Sequence, residues 1–390
     1  MRPRNGLLDW LIALLMLLPA VACAELRIGV LTIQPGDIFF ERFGHNALVV
    51  DDPAHGEPVA YNFGMFDPDA PGFARNFIRG HMQYSLAALP LSRDLATYRA
   101  EGRGASIQWL DLEEATARTL AATLADNARP EHADYRYDYF TDNCSTRVRD
   151  ALDAALGGVL KRQLDTRSRG NTYRSEAIRL ASPEPWMWLG FDLLLGPAAD
   201  RPNALWQDAF VPMRLAAALD ASTGPEGRAL VRETVALLPH HLPPEPAEAR
   251  RLWWPWWLTG VLLGAGIVAP GQRRPRLIAA LALPLWTLAG LIGCLMLFLW
   301  LGSEHRYGWA NQNLWLFSPL CLALLPGGWR LARGRGAGQW CVWIAAVIAL
   351  MAVIALFVYG LSAVPQRNLP WIGLLLPIHL AVWWRLRRSS

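Results

Sequence analysis

Of the five cysteines in the 390-residue chain, only Cys144 lies in polar sequence, within Tyr137–Leu152 (YDYFTDNCSTRVRDAL). Cys23 falls in an N-terminal apolar segment, and Cys294, Cys321 and Cys341 in apolar runs toward the C-terminus. Outside the cytoplasm thiols normally pair as disulfides, so a lone one there is open to oxidation and calls for a reason. Nucleophilic chemistry is the usual one. At an ordinary pKa of about 8.5 only a small fraction is thiolate near neutrality, so the thiol needs activation. Asp142 or Asn143 can cap a helix containing Cys144, and that helix N-terminus supplies partial positive charge. Arg147 and Arg149 lie within two turns. An imidazole could also form an ion pair with the sulfur.

The polar part of the chain offers His45, His55, His81, His132, His240 and His241. His45 is the best base, because it begins the apolar strand Ala47–Val50 inside a Gly44-His45-Asn46 turn. His55 sits in a polar loop, His240 and His241 in a Pro-rich stretch, and His81 is the reserve. A third group should orient the imidazole. Asn62, on the neighbouring strand Val59–Met65, is the choice, with Glu41 and Tyr84 behind it. Backbone N–H groups at the start of the Cys144 helix would meet an oxyanion, with Asn143 helping. Each residue also has an ordinary reading: Cys144 as core packing, His45 as a structural histidine, Arg147 and Arg149 as solvated helix residues. A zinc site lacks its paired Cys or His-x-x-x-His spacing, and neither a P-loop nor a dinucleotide glycine motif occurs, so no metal or cofactor is expected.

The elements that hold these residues divide the chain. Residues 1–24 carry Arg2 and Arg4, a short apolar core and an Ala22-Cys23-Ala24 site, and read as a signal peptide or N-terminal anchor. Residues 25–221 form a mixed α+β catalytic domain. Strands are expected at Leu26–Thr32, Ala47–Val50, Val59–Met65 and Ser106–Leu110. Helices are expected in part of Phe73–Leu89, from a cap at Asp111 to about Asn127, from Cys144 to Gly157-Gly158, and over Trp186–Leu195 and Ala204–Leu219. Residues 222–250, rich in Pro, Glu and Ala, read as a tether.

Residues 251–390 read as an all-α transmembrane domain. Leu252–Ala269, Leu277–Leu301, Leu314–Trp329, Trp340–Val364 and Leu369–Trp384 contain no charged residue and approach or exceed spanning length. Arg273, Arg274 and Arg276, then Arg330, Arg333 and Arg335, then Arg385, Arg387 and Arg388 follow the first, third and fifth runs. The positive-inside rule places those loops in the cytoplasm, so five spans start outside and end inside. An exported N-terminal domain requires the same arrangement, so the two signals agree. A net charge of +4, clustered beside apolar runs, argues against nucleic acid, and many of the 19 tryptophans lie where interfacial belts form.

Pro35-Gly36-Asp37, His45 to Val50 and Asn143-Cys144 resemble the circularly permuted branch of the papain/NlpC-P60 superfamily, where the His strand precedes the Cys helix. More closely, the chain resembles the Lnb family of bacterial lipoprotein N-acyltransferases. The resemblance rests on Phe43-Gly44-His45, Tyr61 to Gly64, Phe77-Ile78-x-Gly80 with Tyr84, Tyr139 to Cys144 and Arg149-Asp150. Asp192 to Gly196, Asp200-Arg201, Phe210 to Pro212 and Asn311-x-Asn313-Leu314-Trp315 extend it. It implies a membrane phospholipid as acyl donor, Cys144 as acyl-accepting nucleophile, His45 as its base and a diacylglyceryl lipoprotein as acceptor. His305, Asn311 and Asn313, in an outward-facing loop, would frame the substrate entrance. His81 stands where the family is expected to carry a basic residue. Other readings are a cell-wall peptidase or amidase, a lipid hydrolase, and a binding module without catalysis.

Overall fold

The computed structural model describes residues 25–248, 252–269 and 275–388. The signal or anchor expected over residues 1–24, together with Arg273 and Arg274, lies outside them. Seven strands form one antiparallel sheet in the order β6-β4-β3-β2-β1-β5-β7. They are β1 (Arg27–Ile33), β2 (His45–Asp51), β3 (Val59–Met65), β4 (Gln83–Pro90), β5 (Ala105–Leu110), β6 (Asp134–Arg136) and β7 (Val231–Leu238). β1 is covered on both faces. Ile28 and Val30 join one core and Leu31 and Ile33 the other, as the two-residue period of a strand requires.

Helices close the two faces. α1 (Phe73–Arg79) is short, and α2 (Leu91–Ala100) lays Leu91, Leu95 and Tyr98 on the Leu31 face. The opposite face receives α3 (Glu114–Asn127) through Ala117, Leu120 and Leu124 and α4 (Cys144–Ala155) through Val148 and Leu152. Each fully buried Leu or Val contributes roughly 1.5–3 kcal/mol, so this face fixes where α4 begins. α5 (Val159–Leu164), α6 (Tyr173–Ala181), α7 (Pro185–Leu194), α8 (Leu205–Asp208) and α9 (Pro212–Asp220) follow.

Several local expectations change. Phe73–Leu89 is part helix but ends in strand β4, and the cap of α3 is Glu113 in place of Asp111. The stretch Ala204–Leu219 breaks into α8 and α9 because Pro212 lacks the N–H an unbroken helix needs and starts a new one. Residues 222–250 are not a plain tether: they supply β7, paired with β5. β7 is an edge strand with most side chains exposed, so it carries no alternating pattern to read.

The apolar domain comprises α10 (Trp254–Val268), α11 (Pro275–Leu301), α12 (Leu320–Ala323), α13 (Leu325–Ala332), α14 (Gln339–Leu361) and α15 (Leu369–Arg387). Among the described residues α11, α14 and α15 are long and apolar enough to cross a membrane, while α10 has 15 residues. The third expected span, Leu314–Trp329, is broken. 3-10 turns at Arg306–Gly308 and Gln312–Trp315 precede α12 and α13, with a bend of 43°. Pro319 and Pro326 cannot donate backbone hydrogen bonds, which accounts for the interruptions.

The segment after α11 is fastened to the sheet domain. Glu304 N donates to Arg79 O (2.8 Å), His305 Nε2 to Phe77 O (2.9 Å), and Gly196 N to Tyr307 O (2.5 Å). Glu304 also pairs with Arg136 and with His81. A side chain at Gly196 would place its Cβ 2.2 Å from the Trp309 carbonyl oxygen, so only glycine permits this approach.

Candidate active site

Cys144 is the first residue of α4, and Asn143 is its N-cap. Asn143 Oδ1 accepts from Thr146 N (2.9 Å), while Thr146 Oγ1 accepts from Asn143 N (2.8 Å), a reciprocal capping box. The next residue ties helix to sheet: the buried Ser145 hydroxyl lies 2.9 Å from Asn46 Oδ1 and 2.7 Å from Ala209 O. Asn46 in turn donates to Leu31 O and Thr32 Oγ1. Riveting residue 145 to residue 46 brings their neighbours Cys144 and His45 together.

The sheet opens where they meet. β2 and β3 are paired only between Leu48–Val50 and Val59–Tyr61. Beyond Tyr61 the ladder parts, and β3 bulges between Phe63 and Met65 around Gly64, whose φ is +87°. Cys144 enters this gap and packs beside Gly64. The Asn46 and Ser145 backbone N–H groups lie beside its sulfur and favour the thiolate. Cys144 and His45 are each largely buried and keep a small accessible surface.

The His45 Nε2–H donates to Asn62 Oδ1 (2.9 Å), and the imidazole stands close enough to Cys144 for the two groups to shift each other's charge. Asn62, almost fully buried, donates from Nδ2 to Asp94 Oδ2 (2.6 Å). Burial pushes the thiol up, but the His45 charge and hydrogen bond and the two backbone donors outweigh it and hold Cys144 below its ordinary value. Burial likewise pushes His45 down, and the Cys144 thiolate with the Asn62 bond outweighs that and leaves it raised. Each group stabilises the charged form of the other, as in a thiolate–imidazolium pair.

Asp94, on α2 across the sheet from α4, is the member that sequence reasoning missed. Burial raises its carboxyl, against the opposing Asn62 bond and His45 charge. Its only sequence signal was a polar residue in the first turn of a helix packed on a sheet.

Other expected site residues lie elsewhere or are already engaged. Asn143 Nδ2 donates to Tyr139 O (3.1 Å) and Phe210 O (2.9 Å), so with its oxygen in the cap the side chain has no donor left for an oxyanion. Arg147 forms a two-nitrogen pair with Asp142 and lies over the Tyr135 ring at 4.1 Å. Arg149 turns into the core, donating to Trp206 O (2.6 Å) with its guanidinium over the indole. Glu41 faces Arg103. Tyr84 is buried between the Phe66 and Tyr137 rings, and burial pushes its phenol up to about 12. His305 stacks on Tyr139, and its burial lowers the imidazole despite the bond to Phe77 O.

Asn311 and Asn313 do not frame an opening. Both are buried and donate to Leu193 O (2.7 and 3.1 Å), while their oxygens accept from Gln366 and Asn368. They bind the loop to the end of α7 and to the segment before α15.

Two family models match this architecture. Residues 18–178 match the Lnb N-terminal periplasmic domain and residues 252–386 the Lnb transmembrane domain. The chain belongs to the Lnb family. Its mixed α+β domain is therefore periplasmic, and its helical domain crosses the membrane several times. No curated protein and no solved structure matches this Lnb chain.

Proposed function

We propose that this Lnb protein is a thiol acyltransferase that moves a fatty acyl chain from a membrane phospholipid to the N-terminal amine of a diacylglyceryl lipoprotein. The observation that carries the reading is the row Cys144–His45–Asn62–Asp94, in which His45 lies by the thiol and hydrogen bonds run on to Asn62 and Asp94, in a domain fastened to spanning helices. The Cys144 thiolate attacks the ester carbonyl. Charge passes from sulfur to the carbonyl oxygen, where the Asn46 and Ser145 N–H groups are the nearest donors. As the tetrahedral intermediate collapses, the C–O bond breaks and the His45 imidazolium gives its proton to the departing lipid oxygen, leaving a thioester on Cys144. The α-amine of the lipoprotein then attacks the thioester, His45 takes the amine proton, and the thiolate leaves. Holding a membrane-borne ester beside the thiol replaces a bimolecular encounter, an effect worth up to about 7–11 kcal/mol in well-oriented systems.

The test is trapping. In membranes without amine acceptor, wild-type protein should accumulate a hydroxylamine-sensitive acyl group on Cys144, and Cys144→Ala should carry none. Complementation of cells lacking lipoprotein N-acylation, read by mass spectrometry of N-terminal lipopeptides, checks the second step. Unmodified amines accompanied by released fatty acid would make the protein a lipid hydrolase. Absence of the thioester in active protein would reject covalent catalysis.

A further inference from the structure

A strip of aromatic rings leads away from the sulfur. Tyr137 and Cys144 both pack against Gly64. From Tyr137 the ring centroids step to Tyr84 (4.4 Å), Phe66 (4.7 Å) and Phe40 (5.0 Å). Phe39 and Trp186 continue it at 5.1 and 5.9 Å. The inner end is buried, whereas the outer end is open: Phe40 is 46% exposed and Trp186 62%, and Ile38 and Ile78, chain neighbours of Phe39 and Phe77, are 59% and 55% exposed. A contiguous apolar surface of this kind marks a site of interaction.

What covers it is indicated by what it adjoins. Trp186 stands in the first turn of α7, whose Leu189, Leu193 and Leu194 pack against the core of the transmembrane domain. Phe77, 6.0 Å from Phe40, accepts the His305 hydrogen bond from the loop that follows spanning helix α11. The outer end of the strip therefore lies where the periplasmic domain meets the membrane helices. The neighbouring cavity of ≈280 Å³ between the domains is polar, with Arg136 paired to Glu304 and Arg306 to Asp138.

We propose that this strip binds one acyl chain of the phospholipid donor, tail outward along Phe66, Phe40 and Ile78, with the ester beside Cys144. The inference rests on the acyl-transfer reading and adds the route by which the donor is held. Rings packed in series, some stacked and some tilted, offer a flexible polymethylene chain an apolar surface without a directional contact, which suits a donor with variable acyl chains.

The test is photolabelling of the full-length Cys144→Ser protein in vesicles of phosphatidylethanolamine and phosphatidylglycerol. The vesicles are doped with phosphatidylethanolamine carrying a diazirine either next to the acyl ester or at the chain end. The near-ester probe should label the peptides holding Tyr84 and Tyr137, and the chain-end probe those holding Phe40, Ile78 and Trp186. Ile78→Ser, at an exposed position, should lower the chain-end labelling at least fivefold while labelling of α14 stays constant. Labelling confined to the spanning helices would overturn the proposal. So would equal labelling of the exposed residues by both probes, the pattern of a surface that rests on the bilayer without holding a chain. Build-up of thioester on an Ile78→Ser chain with Cys144 intact, with the transfer step alone slowed, would assign the strip to the acceptor and also overturn it. Because the Cys144→Ser protein cannot form a thioester, correct labelling alongside a wild type that never forms one would remove the transfer reading and leave the chain-binding site in place.

Discussion

Asp94 determines which way the Asn62 amide points, and that choice can be tested. In Asp94→Ala the Asn62 Nδ2 keeps only Ala60 O, at 3.4 Å, in a position sealed from water. Turning the amide over would give its N–H groups to His45 Nε2, which an imidazolium cannot accept. Hydrogen bonds to charged groups are worth ~1.5–3 kcal/mol, so the imidazolium is destabilised by about that amount. At 1.36 kcal/mol per pKa unit this is about one to two units on His45. The Asn62 bond raises His45, so its loss lowers the imidazole. The imidazolium holds Cys144 down, so its loss raises the thiol toward the ordinary value. The pH limb of iodoacetamide alkylation at Cys144, followed by peptide-resolved mass spectrometry, should therefore move to higher pH. The rate near pH 7 should fall by roughly 10- to 100-fold. Asp94→Asn keeps an acceptor for Asn62 and should lose less than about fivefold, the difference between a charged and a neutral bond. Superimposable profiles for wild type and Asp94→Ala, at equal thermal stability, would refute the reasoning.

Asn143→Ala removes a helix cap and leaves the Tyr139 and Phe210 carbonyls without their donor. Thermal or denaturant melts should show a loss of about 2 kcal/mol or more. Gly64→Ala has room beside Tyr137 but forces an L-residue to φ +87°, so a loss of about 1–2 kcal/mol is expected in the same melts. Gly196→Ala drives a methyl into the Trp309 carbonyl and should part the loop from the periplasmic domain, seen as new protease cleavage between residues 302 and 318. Acyl transfer by the wild type should follow a bell-shaped pH profile. Its acid limb is set by the lowered Cys144 thiol and its alkaline limb by the raised His45 imidazole, and Asn62→Ala should draw the two limbs together.

Cys144 and His45 were legible because their surroundings leave few alternatives: one thiol in the polar half, and one histidine at the mouth of an apolar strand. Asn62 followed from the hairpin that places β3 beside β2. Asp94 was hidden because α2 reaches the site from the far face of the sheet, a relation that no spacing along the chain encodes. Asn311 and Asn313 misled for a related reason. Polar residues beside an apolar run suit a substrate portal and a buried brace equally, and only the Leu193 carbonyl between them decides. The exposed edge strand β7 and the broken third membrane segment share a cause: composition reports where a residue is comfortable, not whether its backbone continues.

The brace from Glu304 to Asn313 ties the domain that carries the sulfur directly to the membrane helices. A catalytic head on a swinging arm would sample many heights and meet each partner at its own. With such a brace, the proposed transfer would require both partners to come to a single level, one after the other. Under the proposed transfer, turnover would depend on how quickly a spent lipid drifts away and a fresh protein tail slides beneath, and a membrane thickened by a few ångströms would shift those substrates relative to the braced thiol.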